Sequence, residues 1–218
     1  MVFIGDENTP EGTWPVDQYT TIPETPLVRE KPYLVYDESG YAVMVPPLRQ
    51  NSVGPSWNSM SPNGNYPRST RIPIEKFYIA QSSSDTAETI NLALQRGLHL
   101  ILSPGVYQLD APIVVRNPNT VVLGLGLPSL VPTKGNPAVM VSDVDGVTLG
   151  GILFDAGVET SPNLLQWGEI GSNCDHSANP SFQFDCPCRI GGATPTASTN
   201  SCVVVNSNNL VLGSNWLC

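Results

Sequence analysis

The sequence predicts an all-β protein: a right-handed parallel β-helix with one short N-terminal capping helix, preceded by an irregular Pro-rich arm. Three segments, at residues 113–124, 139–150 and 203–213, share one pattern: an apolar strand, a tight Asn/Asp corner, then an apolar strand ending in Leu-Gly. The first two copies are offset by 26 residues, counted from Ile113 to Val139, and the next by 63, counted from Met140 to Val203. Short strands with a period in the twenties are coils of a solenoid, because one unit cannot bury its own apolar face and must stack on a neighbour. Composition agrees. Charged residues make up only 13% of the 218, with 21 Pro and 19 Gly, a balance that suits a turn-rich extracellular β protein.

Residues 1 to about 75 read as the arm. It holds one hairpin, Tyr33-Leu34-Val35-Tyr36 and Tyr41-Ala42-Val43-Met44-Val45 around Asp37-Glu38-Ser39-Gly40, where the glycine can take a positive φ. Trp14, Trp57 and Tyr66 fit packing anchors of a segment laid over another surface, where it would hide a solenoid's first edge, with sugar stacking as the alternative reading of Trp14 and Trp57. Residues 85–97 read as the single helix: Ser84 or Asp85 caps it, Glu88 lies in its first turn, Arg96 in its last, and Gly97 stops it. A buried strand follows at 98–102, a turn at Ser103-Pro104-Gly105, and an alternating strand at 106–109. The β-helix is expected over 76–218. A long protruding loop at about 168–199, rich in Ser, Asn, Gly, Pro and Cys, accounts for the 63-residue offset.

The net charge of −9 argues against nucleic acid and anionic membranes as partners, since both need a basic footprint. It disfavours a polyanionic substrate unless a cation intervenes, and a neutral glucan is easier to accommodate. No stretch reaches the ~20 apolar residues of a membrane span. The first residues lack the basic start and apolar core of a secretory signal, so a signal has been removed, the protein is not secreted, or the reading frame begins late. Five cysteines, all from Cys174 onward, leave at least one unpaired within the chain. Cys186 and Cys188 are too close to bridge each other, and the spacing with only His99 and His176 does not suit zinc. No metal and no cofactor are expected.

The helix at 85–97 and the run Leu102-Ser103-Pro104-Gly105-Val106-Tyr107 resemble the opening of pectate-lyase-superfamily β-helices. There an Asp-Thr-x-x-Ile-x-x-Ala-Leu helix caps the solenoid and a Pro-Gly-x-Tyr turn begins the first coil, an opening shared with the β-1,3-glucanase branch. Residues 119–126, 151–157, 175–180 and 189–192 are similar to segments of large secreted microbial β-helix proteins, often attached to carbohydrate-binding modules. Those relatives are longer than this chain. The resemblance implies extracellular carbohydrate processing, with a polysaccharide as partner.

Polysaccharide lyases need a cationic or phenolic base, often with calcium, and after Arg116 only Lys134 and Arg189 are cationic. Glycoside hydrolases need two carboxyl groups flanking the scissile bond, and seven Asp or Glu residues lie between 143 and 185. This supply favours a hydrolase. Asp143 and Asp145 align with Asn117 and Asn119, and with Asn206 and Asn208, so they read as ladder residues that satisfy turn amides. Asp155 aligns with Ser129 and Cys218, repeats nowhere, and follows Ile152-Leu153-Phe154; it is either a turn aspartate or a general acid beside apolar neighbours. Asp175-His176 is either a closed loop turn with a solvated histidine or a carboxylate with its orienting partner. Glu169 follows Trp167, which is either a sugar platform or a core plug.

The expected catalytic set is therefore Asp155 as acid with Glu169 or Asp175 as second carboxylate, and His176, Trp167 and Arg189 as sugar contacts. The expected reaction is hydrolysis of a neutral polysaccharide such as a β-glucan. The rivals are a non-catalytic carbohydrate-binding or surface-structural β-helix, and a short form that self-associates through its open C-terminal coil.

Overall fold

The computed structural model describes residues 1–56, 69–191 and 194–213; Trp57, Tyr66, Gly192 and Cys218 lie outside them. The chain divides into two compact units, Met1–Pro73 and Ile74–Cys218.

The first unit is more regular than an arm. Val2–Ile4 and Thr20–Ile22 pair in parallel, Thr25–Val28 and Arg49–Ser52 pair antiparallel, and Tyr33–Asp37, Gly40–Val45 and Thr70–Pro73 form a three-stranded antiparallel sheet. Prolines are compatible with these short strands because they fall at edges and ends: Pro26 lies between the paired positions Thr25 and Leu27 of a two-stranded sheet. Gly40 takes φ +90° in the hairpin turn, and the Asp37 carboxylate accepts two hydrogen bonds from Arg71 of the third strand, at 3.0 and 3.1 Å.

The second unit is a parallel solenoid with three sheets. Sheet A stacks Phe77–Ala80, His99–Leu102, Val121–Gly124, Thr148–Gly150, Ser181–Phe184 and Leu210–Gly213 in chain order. Sheet B stacks Val106–Leu109, Ser129–Pro132, Leu153–Asp155 and Cys188–Arg189. Sheet C stacks Ile113–Val115, Val139–Val141, Leu165–Trp167 and Val203–Val205. Each coil thus runs A, B, C, and inward side chains from the three sheets meet in one core. Trp167, Tyr107 and Phe154 are its largest fully buried members, each worth about 2–3 kcal/mol of transfer free energy.

The helix α1, Ala87–Gln95, is capped by Thr86 rather than by Ser84 or Asp85. Thr86 and Thr89 form a reciprocal capping box, while Asp85 accepts from the Tyr78 hydroxyl and the Gln81 amide. Gly97 closes the helix at φ +83°. Ala87, Ile90 and Leu94 enter the core. Asn91 replaces a missing strand: its side chain accepts from Val114 N–H at 2.7 Å and donates to the Pro112 carbonyl at 2.9 Å, so the first edge of sheet C has partners.

The repeat differs from its sequence reading in two ways. Leu165–Trp167 is a coil that the pattern missed: Val139 pairs with Leu165, 26 residues on, and Leu165 with Val203, so the large offset spans two coils. Ser181–Phe184 and Cys188–Arg189 are strands too, so residues 168–199 are not one protruding loop but two excursions around a further coil. The corner between sheets C and A also slips by one. Ile113 pairs with Val139, but Leu123 pairs with Gly150 rather than Leu149. The left-handed corner position therefore falls on Asn119 (φ +59°) in one coil and on Gly146 (φ +68°) in the next, which takes Asp145 off the ladder. The recurrent glycine after the sheet A strand has a packing cause: a Cβ on Gly124 would meet the Gly151 carbonyl oxygen at 2.2 Å.

Candidate functional site

Sheet B places Asp155 on its outer row, where it pairs with Arg189 of the next coil and not, as the repeat alignment had it, with Ser129; Ser129 pairs with Leu153. The Arg189 guanidinium donates from Nε to Asp155 Oδ1 at 3.0 Å and from Nη2 to Oδ2 at 2.5 Å. Both carboxylate oxygens are thus held in a bidentate pair. A general acid must offer a proton to a leaving-group oxygen, and this carboxylate faces an arginine instead. The two residues form an ion pair on the surface of sheet B, with Asp155 itself buried.

Glu169 and Asp175 lie elsewhere, in the excursion 168–180 from sheet C to sheet A. Glu169 is exposed in a turn closed by Ser172, whose hydroxyl accepts from the Glu169 amide at 2.9 Å. Asp175 is exposed as well, and its carboxylate accepts from the Ser177 amide at 2.9 Å, which holds its pKa below the ordinary range. This is the closed turn of the simpler sequence reading. Asp155 ends a strand of sheet B and the other two follow a strand of sheet C, so Asp155 sits at a different corner of the coil from Glu169 and Asp175 and does not form the expected pair with either.

His176 is not solvated; it is 5% exposed. Its ring bridges the two aspartates that the sequence reads as ladder residues, with Nε2 2.9 Å from Asp143 Oδ1 and Nδ1 2.6 Å from Asp145 Oδ1. Those carboxylates, Asp143 foremost, raise the His176 pKa against the effect of burial. Burial opposes ionisation of Asp143, but hydrogen bonds from His176 and from the Cys174 thiol and amide outweigh it and hold the carboxyl far below its usual range. With both ring nitrogens donating to carboxylates, His176 has no free position for a sugar or a proton in transit. The cluster instead fastens the excursion: the His176 amide donates to Asn209 Oδ1 at 3.0 Å, and Asn179 Nδ2 donates to Asn119 Oδ1 at 2.8 Å. A clue was present in the sequence, since one coil carries Asp at corner positions where the others carry Asn.

Trp167 is the core plug and not a platform. It is 1% exposed, and its indole N–H donates to Gln183 Oε1 at 3.0 Å. Cys188 and Cys202 form a disulfide with Cα atoms 6.0 Å apart. Cys174 is a free exposed thiol, and burial pushes the free Cys186 thiol up to about 12, which makes it inert at neutral pH. Among the described residues no group of three or more His, Cys, Asp or Glu side chains is arranged to hold a metal ion.

Three stacked parallel sheets around one apolar core, opened by a capping helix, define a β-solenoid of the pectate-lyase-like class. The chain belongs to the LAM55 pectate lyase-like domain family, which matches residues 77–218. It is similar to an exo-β-1,3-glucanase of Streptomyces sp. (strain SirexAA-E / ActE), with 44% identity over 217 residues, covering 100% of this chain and 35% of that protein. The solved structure of sacteLam55A from Streptomyces sp. SirexAA-E superposes with a TM-score of 0.93 at 42% identity, over 100% of this chain and 39% of that one. A sacteLam55A variant in complex with glucose superposes with a TM-score of 0.92 at 43% identity, over the same shares. The chain therefore spans little more than a third of the length of the relatives it matches.

Proposed function

We propose that this chain acts on β-1,3-glucan as the substrate-holding solenoid of an extracellular glycoside hydrolase. The single observation that carries the reading is 44% identity along its whole length to an exo-β-1,3-glucanase. The site geometry supports a holding role over a complete hydrolytic pair. Of the three carboxylates expected to catalyse, Asp155 is committed to Arg189, while Glu169 and Asp175 are both exposed, Asp175 with one oxygen engaged in closing its own turn. Glycoside hydrolysis requires two carboxyl groups flanking one scissile bond, and the expected acid, Asp155, is engaged with Arg189. The disulfide between Cys188 and Cys202 supports an oxidising, extracellular setting.

The test is product release from β-1,3-glucan, α-glucans and polygalacturonate, with reducing ends and the ultraviolet absorbance of unsaturated sugars read together. Binding to insoluble β-1,3-glucan is measured alongside. Retention on β-1,3-glucan, with or without reducing ends, is the expected outcome. Unsaturated products would mean a lyase, and binding confined to other polymers would overturn the substrate assignment.

A further inference from the structure

We propose that a cavity at the turn from sheet B to sheet C is a saccharide subsite that takes one glucosyl unit of a neutral glucan. The identity of the sugar rests on the β-1,3-glucan reading above; the class of ligand rests on the cavity itself. The cavity measures about 310 Å³, at the small end of ligand pockets. Val131 and Pro132, from the second strand of sheet B, meet Gly157 and Val158 of the following coil there. Gly157 brings the two coils together: a Cβ at this position would sit 1.9 Å from the Pro132 carbonyl oxygen, so only glycine allows the approach.

Around this apolar surface stand Gln108, Thr133 and Glu159, with Thr194 beside them. Gln108 and Glu159 are exposed and can hydrogen-bond a ligand. The Thr133 hydroxyl already donates to the Leu109 carbonyl at 3.2 Å, which leaves its lone pairs to accept. Among the described residues the lining contains no lysine or arginine, and Arg189 on the outer row of sheet B is tied to Asp155. An anionic ligand such as a uronate or a phosphate would meet Glu159 without a counter-charge. A neutral ring with an apolar C–H face and hydroxyls at its edge matches both parts of the lining. Its face would lie on Val131, Pro132 and Val158, and its hydroxyls would reach the amide and the carboxylate, as charge-assisted bonds favour. Nothing in this geometry needs an aromatic platform, which fits the burial of Trp167.

The test titrates the whole chain with the β-1,3-linked glucose disaccharide by calorimetry, with cellobiose, maltose and digalacturonate as comparators. Val158 is 62% exposed, so Val158→Trp fills the cavity without touching the core, and Glu159→Gln keeps the size and removes the charge. We expect Val158→Trp to weaken disaccharide binding by about tenfold or more and Glu159→Gln by several-fold, both with an unchanged urea midpoint. Equal binding by wild type and Val158→Trp would overturn the subsite and leave the glucan reading standing. Binding of cellobiose or maltose alone, lost in Val158→Trp, would keep the subsite and overturn the glucan reading. Absence of binding by every saccharide, or preference for digalacturonate, would overturn the subsite.

Discussion

Two excursions leave consecutive turns of the solenoid, residues 168–180 between Trp167 and Ser181, and residues 190–202 between Arg189 and Val203. They are equal in length and fastened by opposite means. The first is held by charge and side-chain hydrogen bonds, with His176 clamped between Asp143 and Asp145 and the asparagines at 119 and 209 reached from the excursion. The second is held by a covalent bond, Cys188 to Cys202, and by neutral contacts with the turn beneath: Ser198 N–H to the Gly157 carbonyl at 3.0 Å and Asn200 N–H to the Ser161 carbonyl at 3.0 Å. The lesson is that one scaffold can anchor long insertions with either a titratable clasp or a redox-sensitive one. Each clasp should yield to its own reagent and not to the other's.

The largest effect is expected at the root of the first excursion. Trp167 and Gln183 flank it and are joined by the indole hydrogen bond, so Trp167→Ala opens a core cavity and leaves the buried Gln183 short of a donor. Urea unfolding should show a loss of about 4 kcal/mol, and an unchanged midpoint would mean that the core closes over the gap. Next comes the covalent clasp. Replacing both Cys188 and Cys202 by Ala should cost about 3 kcal/mol, the loop-closure value for a separation of this size. Hydrogen exchange should then quicken in the described residues of 190–202 while 168–180 keeps its protection. Equal loosening of both would show that the excursions are not independent.

His176→Gln should cost about 2 kcal/mol, below the usual range for a broken buried pair because Asp145 is half exposed. The same clasp gives a pH dependence with a defined sign. His176 is raised from its ordinary 6.5, so its contribution is full below 6.5 and is lost as pH rises through the higher folded value. Asp143 is lowered from 3.8, so its contribution is full above 3.8 and declines as pH falls below that toward the folded value. Protection of 168–180 should therefore be greatest between these limits and fall on both sides, whereas 190–202 should hold across the range. A flat profile for 168–180 would remove the charge account. The smallest effect is expected for Asp175→Asn: asparagine also closes an Asx turn, so the urea midpoint and glucan retention should both stay as in the wild type.

Much of the solenoid could be read from the chain because its causes are local. Alternation in 106–109, the helix with its stop at Gly97, and corners built on Asn all act within a few residues; the cap itself fell on Thr86 and not on the expected Ser84 or Asp85. Leu165–Trp167 escaped because its corner carries Gly168-Glu169 and then an insertion, not the Asn/Asp signature, although its apolar strand stands 26 residues after Val139. The candidate site was less legible. Asp155, Glu169, Asp175 and His176 were identifiable as chemically capable groups, but the partners of Asp155 and His176 come from other coils, more than thirty residues away for Asp155 and Arg189 and for His176 and Asp143.

The sequence by itself determined that this chain is a stack of short parallel strands with a helix at its start. A repeating apolar pattern cannot bury itself in any other way. Only the tertiary structure decided which polar side chains meet. The register between coils slips by a residue at one corner, absorbs eight at the first excursion (an offset of 26 becoming 34) and four at the second (34 becoming 38), so a carboxylate's neighbour depends on stacking and not on spacing along the chain. That stacking turned an expected acid into an ion pair, a solvated histidine into a buried clasp and a sugar platform into a core plug, and it assembled a cavity from residues with no shared motif.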